Sequence, residues 1–121
     1  MSLLSLAGHV QYYLFMGNAD MRRTFEGLCG LVRNEMNQNP LDHQVYIFIN
    51  KRRTQVKLLL WEGDGFCIFH KRLEAGTFER PTTDEHTKQV TLTRSQLQMI
   101  LQGIKLESVT YRKRYQQPGN A

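Results

Sequence analysis

Cysteine is scarce: Cys29 and Cys67 are the only two in 121 residues, and they belong to no close-spaced pair. That argues against a disulfide scaffold and suits reduced cytosolic thiols. Long apolar runs are also missing. The stretch from 9 to 16 already includes His9 and Gln11, so no segment is apolar for long enough to cross a bilayer. Residues 1 to 8 are mildly apolar but lack a basic start, which argues against a signal peptide. There is no phosphate loop, because Gly63-x-Gly65 lacks both the third glycine and the helix that would follow. No Ser-His-Asp or Cys-His arrangement follows from spacing, so the sequence predicts no catalytic residue and no cofactor.

What is present is apolar and aromatic. A hydrophobic fraction of 40%, with five Tyr, six Phe and one Trp, is that of a packed globule. The length predicts one domain over 1–121, ordered from about 9 to 105, with a partly mobile tail over 106–121. The dominant feature is a pair of apolar runs, Val56 to Trp61 and Phe66 to His70, on either side of Glu62-Gly63-Asp64-Gly65. Asp64-Gly65 is a hairpin signal, because tight hairpin turns need positive φ. Both runs are apolar on both faces, which places this hairpin, about residues 56–72, in the middle of a covered sheet.

Around it, His9 to Met16 alternates with strand period, and Val45 to Ile49 is a β-branched and aromatic strand. Met21, Phe25, Leu28, Val32 and Met36 make one helical face over about 20–37, with Asn18 or Asp20 as cap and Pro40 beyond its end. Gly27 and Gly30 in that helix suggest the close approach of another backbone. Thr77-Phe78 reads as a short edge strand stopped by Pro81, and Gln89 to Leu92 as another strand. Thr93-x-x-Gln96 is a capping box opening a second helix over about 94–103, with Gly103 at its end. The predicted fold is α+β: a mainly antiparallel sheet built on the central hairpin, with two packed helices.

The net charge of +5 lies after residue 44. Residues 1 to 44 carry three Lys/Arg against four Asp/Glu; residues 45 to 81 carry seven against four, and residues 82 to 121 six against three. Lys51, Arg52 and Arg53 form the densest cluster with no nearby acid, the best candidate for phosphate contact. Arg112, Lys113 and Arg114 lie between Tyr111 and Tyr115 as in nucleic-acid arms. Arg22, Arg23, Lys71 and Arg72 are further candidate anion contacts. Cys67-x-x-His70 suggests a metal site, but residues three apart on a strand diverge, and no metal is predicted. Glu62, Asp64 and Asp20 are the acids a metal-dependent nuclease would use, although two share a turn and Asp20 serves as a cap. Trp61 reads as core.

Three blocks carry a resemblance. They are Asp20-Met21-Arg22-Arg23 with Phe25-Glu26-Gly27-Leu28; the hairpin with Lys71-Arg72-Leu73-Glu74-Ala75-Gly76-Thr77-Phe78 and Pro81; and Leu97-x-x-x-Leu101-x-Gly103-Ile104. In this order and spacing the chain resembles the TnpB-type accessory protein of the insertion-sequence sixty-six family of bacterial transposable elements, over roughly residues 10–105. This is not the RNA-guided nuclease that shares the TnpB label. Glu62 stands where the family pattern more often has Asp, and Asn50-Lys51 where it often has a Gly-containing basic turn. The resemblance implies a small non-enzymatic protein needed for movement of the element, encoded beside a separate transposase. Its implied partners are that transposase, the element DNA, or both, with no membrane. Two alternatives stand beside it: a metal-dependent nuclease or strand-processing enzyme, and a protein–protein adaptor without DNA contact.

Overall fold

A computed structural model describes residues 9–84 and 86–103. Its elements in chain order are β1 (Tyr12–Phe15), α1 (Phe25–Asn34), β2 (Val45–Ile49), β3 (Gln55–Trp61), β4 (Phe66–Arg72), β5 (Gln89–Leu92) and α2 (Arg94–Leu101). The strands form one sheet in the order β4-β3-β2-β1-β5. Only β1 and β2 run parallel; the other three pairings are antiparallel. The parallel pair is possible because α1 makes the crossover between them. This is an α+β fold with a mainly antiparallel sheet and two packed helices.

Period-two alternation divides the side chains into two cores. On one face Leu14, Ile47, Leu58 and Leu60 pack with Phe78, Leu97 and Ile100. On the other, Phe15, Tyr46, Phe48 and Leu59 pack with Leu28, Cys29, Val32 and Met36 of α1 and its C-terminal turn. The middle of the sheet is β2, buried at all five positions, with β3 beside it. The hairpin is therefore off-centre, and β4 is an edge strand whose last three residues are exposed. Apolar residues on both faces of β4 reflect half-buried packing against the two cores, not strands on both sides.

The hairpin turn differs from the expectation. Glu62 N–H donates to the Gly65 carbonyl at 2.8 Å, closing a four-residue loop, and the positive φ (+97°) belongs to Gly63. Neither Asp64 nor Gly65 has left-handed backbone. A longer loop shifts the strained position away from the residues a two-residue turn would use.

The first helix starts at Phe25, four residues after the first member of its apolar stripe, Met21. Asp20 does not cap it; its carboxylate accepts from the Arg22 N–H at 2.9 Å in a local turn, and Arg23 N–H donates to the Asp20 carbonyl. Asn18 is not a cap either, since its side chain accepts from Arg80. The carbonyls of Met21 and Arg23, which a helix would use, accept instead from the ammonium of Lys57 at 2.9 and 2.8 Å. The helix therefore begins after Thr24, whose side chain makes no capping bond. Asn37, in left-handed backbone (φ 54°), turns the chain at the other end before Pro40. Phe25 is 45% exposed and is not part of the buried stripe. Gly27 faces only the Arg23 side chain and Gly30 has open space around it, so neither admits another backbone.

Thr77-Phe78 is not a strand. Phe78 is instead fully buried as a plug in the α2-side core, and its N–H donates to the Arg53 carbonyl at 2.7 Å. The β5 strand and the Thr93–Gln96 capping box are as expected, with both reciprocal bonds present, at 3.0 and 2.9 Å. Gly103 follows α2 with φ +83°, the left-handed conformation of a helix-ending glycine.

Candidate nucleic-acid interface

The pairing directions gather the ends of β1, β2 and β4 and the starts of β3 and β5 along one edge of the sheet. Most of the candidate basic residues emerge there. Between β2 and β3, Asn50 closes the loop: its side-chain oxygen accepts from the Thr54 and Gln55 N–H groups at 2.9 and 3.0 Å. Arg53 N–H donates to the Asn50 carbonyl, and Arg53 takes the left-handed backbone (φ 61°) the reversal requires. Asn50 and Arg53 thus supply what a glycine-containing turn would supply in this position. Lys51 and Arg52 are left at the tip, exposed, with no acidic partner among the described residues.

Arg53 is different. It pairs with Glu79 at 3.1 Å, while its carbonyl holds Phe78 in place. Beside it lies Arg80, a residue the sequence reading passed over. One terminal nitrogen of Arg80 faces the Asn18 side chain at 3.1 Å and the carbonyls of Gly17, Ile49 and Asn50 at 3.3, 3.2 and 3.5 Å. No carboxylate balances it in the contacts described, and burial, followed by the neighbouring Arg53 charge, lowers its pKa. Arg80 stitches the ends of β1 and β2 to the chain following β4. Its signal in the sequence was an arginine between a buried Phe78 and Pro81, hidden by reading that stretch as an exposed edge.

The same edge receives Arg22 and Arg23. Ala19 N–H donates to the Ile49 carbonyl at 3.0 Å, and the following residues pass over β3, where Lys57 holds them. Lys57 is 6% exposed, a lysine inside an otherwise apolar strand, and that interruption was the clue to its role. The carbonyls of residues 21 and 23 face inward to it, so the Arg22 side chain projects into solvent. There Arg22 forks onto Asp20, with contacts of 2.8 to 3.2 Å, and holds the Asp20 carboxyl down at about 2. Arg72, paired with Gln55 at the end of β4, meets Glu74 at 3.3 Å in an exposed ion pair. Lys71 turns to the opposite face, where its amine reaches the last helical carbonyl of α2, Leu101, at 3.4 Å. Arg112, Lys113 and Arg114 lie outside the described residues.

This edge therefore carries Arg22, Arg23, Lys51, Arg52, Arg53, Arg72 and Arg80. Three acids beside them, Asp20, Glu74 and Glu79, are each engaged by an arginine. Such a surface can hold phosphates through exposed guanidinium and ammonium groups.

The candidate metal and nuclease residues do not come together. Glu62 and Asp64 sit at the far end of the hairpin from Asp20, about 20 Å away along seven-residue strands. Cys67 and His70 project from opposite faces of β4, and His70 shares a 2.8 Å hydrogen bond with Gln55. Among the described residues no three His, Cys, Asp or Glu side chains are grouped to hold a metal ion. Trp61 is half-buried, its ring edge against Phe66 with centroids 4.9 Å apart. No helix among the described residues is long and apolar enough to cross a membrane.

No solved structure matches the chain. An uncharacterized protein of Sinorhizobium fredii, y4hO, is 29% identical over 102 residues, covering 84% of this chain and 87% of its own. A second from the same organism, y4jC, is 32% identical over 62 residues, 51% of this chain and 53% of its own. The profile of the IS66 Orf2-like proteins, TnpB_IS66, matches residues 10–111. The chain belongs to this family, and with it to the accessory proteins associated with transposition of an insertion sequence.

Proposed function

We propose that the protein is a non-enzymatic accessory factor that binds the DNA of its element through the basic edge of the sheet, in the bacterial cytoplasm, and acts together with the separate transposase. The observation that carries this reading is the Asn50-closed loop, which presents Lys51 and Arg52 without an acidic partner among the described residues, beside Asp20, Glu74 and Glu79 that are each engaged by an arginine. Cations without an acidic partner among the described residues are available to phosphates, and release of condensed counterions would drive binding. The non-enzymatic part rests on the distance between the hairpin acids and Asp20, since metal-assisted phosphodiester chemistry needs carboxylates that converge.

Incubating the purified protein with labelled element ends, with and without Mg²⁺ or Mn²⁺, tests both parts. The expected result is a retarded complex that dissociates as salt rises, with intact strands. Metal-dependent cleavage would refute the non-enzymatic reading. Failure to bind at low salt, with capture of the transposase retained, would replace DNA binding by the adaptor.

A further inference from the structure

Arg80 is held at the root of the β2–β3 loop through one of its three side-chain nitrogens. That nitrogen, Nη2, lies 3.1 Å from the Asn18 side-chain oxygen and 3.3, 3.2 and 3.5 Å from the carbonyls of Gly17, Ile49 and Asn50. Asn50 directly precedes Lys51, so the anchor sits at the base of the exposed tip. A guanidinium has five N–H groups, two on each terminal nitrogen and one on Nε. The two on Nη2 are shared among four oxygens. Nε is buried and meets no acceptor. Nη1 is not buried, and it too has no acceptor among the described residues.

Two features set this residue apart from a structural stitch. An ammonium offers three donors, so tying these inward oxygens together does not by itself call for a guanidinium. The charge is also left uncompensated, and a half-buried charge is costly without a counter-charge. All four inward partners are neutral groups. Glu79, the neighbouring acid in the chain, is committed to Arg53 and to the Thr77 hydroxyl. Burial and the adjacent Arg53 charge both act against the protonated Arg80. An anion at Nη1 would offset that cost.

We propose that Arg80 is a preorganised phosphate contact of the basic edge: Nη2 fixes the guanidinium to the ends of β1 and β2, and Nη1 donates to a non-bridging oxygen of the DNA backbone. This rests on the DNA-binding reading above and adds to it a fixed contact at the root of the loop. A side chain already held in place loses little freedom on binding, unlike the long exposed side chains of Lys51 and Arg52. Arg80 therefore sets where the backbone lies, and the tip adds contacts around it.

The test uses the full chain with isotope-labelled arginine, a short element-end duplex, and the same duplex with an uncharged methylphosphonate backbone. The guanidinium NMR signals of Arg80 should shift on addition of the charged duplex and stay in place with the uncharged one. A stitch without a phosphate contact would leave them where they are in both. Arg80→Lys keeps the charge and a donor for the inward oxygens but removes the outward nitrogen. At an unchanged melting temperature it should weaken duplex binding about tenfold, the weight of one hydrogen bond to a charged group. Should that variant not fold, the wild-type signals decide alone. Duplex binding with the Arg80 signals unmoved, equal shifts with both duplexes, or a folded Arg80→Lys of wild-type affinity would overturn this assignment and leave DNA binding through the tip standing. A wild type that binds no duplex at low salt would remove the DNA-binding reading itself, and this assignment with it.

Discussion

At residue scale, Lys57 occupies two carbonyls that would otherwise begin a helix, and so fixes where α1 starts and which way Arg22 points. Lys57→Met keeps most of the buried stem but leaves both carbonyls without their charged donor. The expected loss is about 2 kcal/mol, the scale of hydrogen bonds to a charged group, read from the urea midpoint. Unchanged stability would show that Lys57 holds nothing. In the hairpin turn, Gly63→Val places a β-branched side chain at φ +97° and should cost about 1–3 kcal/mol. Gly65→Ala should be near neutral, since nothing lies within 4 Å of its added Cβ; the reverse order of thermal shifts would relocate the strained position. Asp20 gives a pH signature. Its folded pKa, about 2, lies below the ordinary 3.8, so its contribution is present above 3.8 and is lost as pH falls toward 2. Carboxyl NMR should show Asp20 titrating near 2, and near the ordinary value in Arg22→Ala; an ordinary value in the wild type would mean the fork is open in solution.

At the scale of elements, α2 depends on its start more than on its length. Its capping box ties Thr93 and Gln96 together, and only Leu97 and Ile100 of its eight residues are buried. Thr93→Ala should cost about 1 kcal/mol, measured by denaturation, and a neutral result would mean tertiary packing alone holds the helix. This element was legible in the sequence because its signals are local: a Thr-x-x-Gln pair, a 3–4 spacing and a closing glycine. The strand Val45–Ile49 was legible for the same reason. The start of α1 was not, because the lysine that decides it lies 34 to 36 residues away. Phe78 looked like an edge strand because a buried plug with no partner strand has no periodicity to read. The position of β4 at an edge was hidden because Phe66, Ile68 and Phe69 pack, half-buried, against the two cores and so give the strand apolar residues on both faces.

For the whole molecule, β1, β2 and β4 deliver their C-terminal ends, and β3 and β5 their starts, to one edge. Arginines and lysines distant in sequence therefore become one surface. Clustering in the sequence pointed to Lys51, Arg52 and Arg53, but not to the division of labour among them. Arg53 is committed to Glu79, and its carbonyl to Phe78, whereas Lys51 and Arg52 lack partners among the described residues. The most direct test of DNA binding through this edge is the salt dependence of duplex affinity for the wild type and for Lys51→Ser/Arg52→Ser. With about four phosphate contacts, log affinity should fall against log salt with a slope near −3.6. The double variant, with an unchanged melting temperature, should be shallower by about 1.8, two contacts' worth of released counterions. A folded double variant with the wild-type slope, or a wild type that binds no duplex at low salt, would contradict it.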